Sequence, residues 1–191
     1  MNNRKRNLTY DIVIVGVMAA VIFVVTSVIK IGPIPTPAGN TMIKLANAFC
    51  LMAGILFGGV RGGLAAGIGS MIFDLTNPAF VSSAPFTFVF FFMMAFVAGA
   101  VSHIGEADGK KIGLNIAASI AGSVTYLVLY LSKSLIVLLM EGSDFGAALT
   151  ACTAKFITSG INAVIAVVIA VPLTMACRKA LDRAGFANKL F

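Results

Sequence analysis

Charge is scarce in this chain. Asp, Glu, Lys and Arg make up 11% of its 191 residues, against the roughly 25% carried by a soluble domain. That shortage excludes an ordinary water-soluble domain, whose surface would be left largely uncovered. Tryptophan is absent, and the single histidine, His103, falls at the cytoplasmic end of the fourth apolar run. No serine has a histidine in reach on a plausible helix arrangement, no two carboxylates share a polar face, and no metal-ligand spacing occurs. The three cysteines, Cys50, Cys152 and Cys177, lie in apolar runs without CxxC spacing. They read as small buried residues, not as disulfides or metal ligands. Glycines are plentiful, yet no GK[ST] follows them, which excludes a phosphate loop. The expectation is a protein that is no enzyme, with no cofactor and no metal.

What the chain has is apolar length. Hydrophobic residues make up 59% of it, and the mean hydropathy is +1.01. A helix needs about 20 apolar residues to cross the hydrocarbon core. Six runs fit that ruler to different degrees: Tyr10–Ile31, Met42–Phe57, Gly62–Leu75, Phe86–Ser102, Ile112–Met140 and Ala147–Ala176. The expected fold is an all-α integral membrane protein of six transmembrane helices in a single membrane domain, 1–191. The first run, of 22 residues, exceeds the about 7–15 of a signal-peptide core and reads as a retained helix. The second and third runs are short and separated by Gly58 to Arg61, which predicts a tight helical hairpin. The last two are long enough to tilt or project from the bilayer.

The net charge of +7 would point a soluble protein toward nucleic acid. Here the basic residues sit at the ends of the runs, so bilayer orientation explains them and no nucleic-acid partner is expected. Arg4, Lys5, Arg6, Arg61, Lys110, Lys111, Arg178, Lys179, Arg183 and Lys189 all fall on one side. The opposite loops, Gly32–Thr41, Thr76–Pro85 and Glu141–Gly146, hold no Lys or Arg. By the positive-inside rule both termini are cytoplasmic. Within the first outer loop, Pro33, Pro35 and Pro37 forbid helix and predict a stiff extended segment, a lid or a plain connector.

Small residues crowd the stretch Gly54, Gly58, Gly59, Gly62, Gly63, Ala66, Gly67 and Ser70, which predicts close helix contacts. The first run carries Gly16 and Ala20 at the same spacing, either for internal packing or for docking against another membrane protein.

Polar groups inside a membrane are costly, so their placement carries the functional signal. Four runs hold them at i, i+4, i+7 spacing, on one helical face. These are Asn40, Lys44 and Asn47 on the second; Ser70, Asp74 and Asn77 on the third; Lys155, Ser159 and Asn162 on the sixth. On the fifth, Tyr126, Tyr130 and Lys133 are extended inward by Ser123 and Ser119. At 1.5 Å per residue, Lys133 falls roughly 10 Å, Lys155 about 12 Å and Asn162 about 22 Å from the outer ends of their helices. Lys44, Asp74, Lys133 and Lys155 therefore belong to the outer half, a cup open to the outside. Lys44 and Lys133 have a second reading, as residues that snorkel to the headgroups. Asn47, Asp74, Tyr126, Tyr130, Lys133, Lys155, Ser159 and Asn162 are the candidate substrate-binding residues. Three lysines against one aspartate favour an anionic or carbonyl-rich ligand, or a lysine held neutral.

Six helices, both termini inside, small residues in the first helix and an outward polar cup resemble the substrate-binding S components of energy-coupling factor (ECF) transporters, the vitamin importers of prokaryotes. The specific part runs from Leu56-Phe57-Gly58-Gly59-Val60-Arg61-Gly62-Gly63 through Ser70 to Asp74-Leu75, with Pro85-Phe86-Thr87-Phe88 opening the fourth helix. The family's first helix carries an alanine-x-x-x-alanine contact for the coupling subunit, and here Gly16-x-x-x-Ala20 stands in its place. The resemblance implies a capture protein of the prokaryotic cell membrane. It would take a water-soluble vitamin or precursor, riboflavin first, and dock on a membrane coupling subunit driven by two ATPase subunits. The competing class is a stand-alone secondary transporter or channel for a small anionic metabolite. A channel would line both leaflets with polar groups, and a carrier would show repeated halves.

Overall fold

The computed structural model describes residues 8–107 and 109–185. Arg4, Lys5, Arg6 and Lys189, used in the orientation argument, lie outside the described residues. Six helices run in chain order: α1 (Leu8–Val28), α2 (Ala46–Phe57), α3 (Gly59–Thr76), α4 (Ala84–Ser102), α5 (Ile112–Met140) and α6 (Phe145–Arg183). A short antiparallel hairpin of β1 (Lys30–Ile34) and β2 (Thr41–Lys44) joins α1 to α2. One-turn 3₁₀ segments precede α4 and follow it.

Four segments are long and apolar enough to cross a bilayer: Leu8–Val28, Val81–Ser102, Ile112–Met140 and Phe145–Arg183. Their outward stripes are aliphatic, as in Ile116, Ile120, Val124 and Val128 of α5, or Ile157, Ile161, Val164 and Val168 of α6. The expectation of a spanning helix over Met42–Phe57 needs correction. Thr41–Lys44 is a strand, and the 12 residues of α2 rise only about 18 Å. That falls short of the about 30 Å hydrocarbon core. Instead α2 is the central element, with ten of its residues buried from Ala46 to Leu56. Its neighbour α3 has 18 residues, but glycine, Arg61 and Asp74 dilute its hydropathy.

Glycine sets the close packing. Gly59, Gly63 and Gly67 recur every four residues on α3 and face Phe96, Phe92 and Phe88 of α4. A Cβ on Gly63 or Gly67 would lie 2.9 Å from the facing ring. The three phenylalanines stack along α4 with centroids 6.1 and 5.8 Å apart. Gly54 of α2 abuts the Ala95 carbonyl, and Gly69 of α3 abuts that of Ala19 in α1. Only Gly58 separates α2 from α3, and its φ of +83° reverses the chain in one residue, a conformation glycine adopts without Cβ strain. Arg61 therefore belongs to α3, not to a loop, and its Nε lies 2.8 Å from the Asp11 carboxylate of α1. The starts of α1 and α3 are thus tied at one end of the bundle.

The segment expected to be a stiff connector is partly the hairpin. Lys30 pairs with Lys44 and Ile31 with Ile43, and the register shifts before Ile34 meets Thr41. Met42 anchors the hairpin against Phe73 and Phe80. Pairing satisfies backbone polar groups on the facing edges of the two strands.

Candidate substrate-binding cavity

A cavity of about 520 Å³ opens at the end of the bundle that holds the hairpin, the turn before α4 and the α5–α6 connection. Its mouth is formed by Thr36–Thr41, by Ala79, Phe80, Ser82 and Ser83, and by Glu141 at the end of α5. None of its lining comes from the opposite end, where Gly58, Lys110 and Lys179 lie.

Seven of the eight predicted residues line this one space: Asp74 from α3, Tyr126, Tyr130 and Lys133 from α5, and Lys155, Ser159 and Asn162 from α6. The eighth, Asn47, does not. It is buried in α2, and its Oδ1 has no hydrogen-bond partner among the described residues. Its helical spacing with Asn40 and Lys44 is also not realised. Asn40 is in the loop before β2 and Lys44 ends β2, so only Asn47 is helical. Asn77, likewise, caps α3 from outside it. Ser119 and Ser123 are buried below the cavity and do not line it.

The floor and walls are aromatic. Tyr126 and Tyr130, four residues apart on α5, stack at 5.6 Å with their planes 10° apart. Phe91 of α4 closes on Tyr126 at 4.7 Å. Each cavity lysine lies over a ring: Lys44 over Phe91 at 4.3 Å, Lys133 over Phe86 at 5.3 Å and Lys155 over Tyr130 at 5.1 Å. Such contacts offset part of the cost of taking an ammonium out of water. Lys44 and Lys155 are buried, and Lys133 is half-buried.

Hydrogen bonds hold the walls in place. Asp74 accepts from the Thr87 hydroxyl, linking α3 to α4. The Lys155 ammonium donates to Ser134 at 3.0 Å, and that of Lys133 reaches Ser83 at 3.5 Å. Tyr130 donates to the Asn40 carbonyl, and the Asn40 amide donates to the Ala79 carbonyl, both at 3.3 Å. The mouth loop is thus tied to α5 and to the second loop. The Asn162 amide is committed to backbone, accepting from Lys44 N–H and donating to the Met42 carbonyl. Its role is to position β2, a use that side-chain spacing does not reveal. Sequence reasoning missed Phe86, Phe90, Phe91 and Thr87 as lining residues. Their signal was the aromatic density after Pro85, which is indistinguishable from a lipid-facing run without the fold.

Gly16 and Ala20 lie on the exposed face of α1, with open space around Gly16, while Ala19 between them packs on Gly69. Among the described residues no group of His, Cys, Asp and Glu is arranged to hold a metal ion.

Apolar helices around a buried polar cavity at one end define a multi-pass membrane protein with a candidate small-molecule site. Residues 6–179 match the family model described as ECF-type riboflavin transporter, S component, and the chain belongs to that family. It is a multi-pass protein of the prokaryotic cell membrane, in a family of transporter subunits and not of enzymes. It is also similar to a UPF0397 protein of Lactiplantibacillus plantarum, 39% identical over 77 residues. That alignment covers 40% of this chain and 40% of the relative.

Proposed function

We propose that this chain is the substrate-capture subunit of an ECF importer, and that it binds a water-soluble vitamin or vitamin precursor from outside the cell. The observation that carries the reading is the cavity, in which Tyr126, Tyr130 and Phe91 offer flat faces beside polar groups from β2, α3, α4, α5 and α6. Flat faces suit a ring, and convergent polar groups fix its orientation. The family description makes riboflavin the first ligand to test.

In this account the mouth faces outward, because the basic loops lie at the other end. The exposed Gly16–Ala20 face of α1 docks on the membrane coupling subunit, and two ATPase subunits elsewhere supply the energy. The chain has no phosphate-loop motif of its own, in keeping with that division. A stand-alone carrier or channel is less well supported, because the cavity draws its lining from one end of the bundle. The test is calorimetric titration of riboflavin and of pyridine and pyrimidine vitamin precursors into the detergent-purified chain. One-to-one binding of one of them by the chain alone supports capture. Transport of the ligand by the chain alone in sealed vesicles would contradict it.

A further inference from the structure

The lysines of the cavity are not equivalent. Lys44 is coupled electrostatically to Asp74, the carboxylate on the same cavity wall system. Lys133 and Lys155 line the same cavity from α5 and α6. Among the described residues, no carboxylate lies within 4.0 Å of either ammonium. Glu141, which also lines the mouth, is exposed and outside that range.

The two lysines enter the cavity from different helices. Tyr130 lies one turn before Lys133 on α5, and the Lys155 ammonium of α6 sits over its ring. Ser134, next to Lys133 in sequence, accepts the hydrogen bond from Lys155. Lys155 is only 4% exposed, yet it opens onto the cavity. Its ammonium also sits beneath the mouth loop, near Gly39. A buried ammonium is costly unless an anion offsets it. Serine hydroxyls and aromatic faces supply only part of that compensation. Both ammoniums keep further donors free, since Lys has three.

We infer that Lys133 and Lys155 form an anion subsite near the mouth, so that the captured ligand is a flat ring compound bearing a carboxylate or phosphate. The ring lies deeper, against Tyr126 and Phe91, and the anionic group is held between the two ammoniums under the Thr36–Asn40 loop. This inference rests on the capture reading above and narrows its substrate.

The experiment uses matched pairs that differ in the anionic group: riboflavin and its 5′-phosphate, pyridoxal and its 5′-phosphate, nicotinamide and nicotinate. Each is titrated calorimetrically into the purified full chain. In at least one pair the anionic member binds about tenfold or more tighter than the neutral one, as expected for a charge-assisted hydrogen bond. That advantage collapses in Lys133→Gln and in Lys155→Gln and survives in Lys155→Arg. Lys133, only half-buried, provides the variant least demanding on folding. If neutral members bind and no anionic member binds better, the subsite is overturned while the capture reading stands. If an anionic advantage persists in both glutamine variants, the subsite is overturned as well. If no member of any pair binds, the subsite and the vitamin reading both fall.

Discussion

Asn162 on α6 accepts a hydrogen bond of 2.9 Å from the backbone N–H of Lys44, 118 positions earlier in the chain. The same amide donates to the Met42 carbonyl at 2.8 Å. One side chain thus serves as the neighbouring strand for β2 and sets the height at which Lys44 meets Phe91. A buried backbone group left without a partner costs about 1–3 kcal/mol. Asn162→Leu orphans two and lowers the melting temperature in detergent, and Asn162→Asp, which keeps the acceptor, lowers it less. Equal melting of Asn162→Leu and the wild type would show that the hairpin holds without this clamp.

Glycines on α3 and α1 have opposite prospects. Gly67→Ala places a methyl group against Phe88 and its carbonyl, and overpacking of this kind costs about 1–3 kcal/mol. Gly16→Ala meets nothing within 4 Å and gains roughly 0.5–1 kcal/mol of helix preference. Thermal melts of the two variants therefore move in opposite directions. A harmless Gly67→Ala would contradict the α3–α4 packing.

Docking is separable from binding. Ala20 faces outward on α1, away from the cavity. Ala20→Leu is expected to abolish uptake in cells that hold the complete importer, while calorimetry on the isolated chain shows unchanged ligand affinity. Loss of both together would place Ala20 in the chain's own packing.

Orientation rests on the basic residues at one end. In a background free of Cys50, Cys152 and Cys177, Ser143→Cys is expected to react with an impermeant thiol reagent added outside. Lys111→Cys, exposed at the opposite end, is expected to react only after permeabilisation. The reverse pattern would turn the cavity toward the cytoplasm.

The helices were legible because apolar runs of 20 or so residues have few other readings. The faces of α5 and α6 were legible because Tyr126, Tyr130, Lys155 and Ser159 follow true helical spacing. The hairpin was not. Met42, Ile43 and Leu45 merge by hydropathy into α2, and Asn40, Lys44 and Asn47 imitate a helical face by chance of spacing. A four-residue strand in an apolar context carries too little period-2 signal to be separated from a helix start. The aromatic wall was hidden for a related reason. Phe86, Phe90 and Phe91 face the cavity while Phe88 and Phe92 pack on glycines, and only the crossing of α3 and α4 decides which is which.

The central claim is that the cavity beneath the Thr36–Asn40 loop captures a small molecule. Native mass spectrometry of the protein purified from its membrane, wild type beside Lys155→Met, tests it most directly. Losing a charged hydrogen bond costs about 1.5–3 kcal/mol, roughly ten- to a hundredfold in affinity. The account predicts one bound small molecule on the wild type and its depletion from a Lys155→Met that remains folded. A folded wild type that carries no bound small molecule would contradict it, whereas equal retention by a folded Lys155→Met would remove only Lys155 from the site.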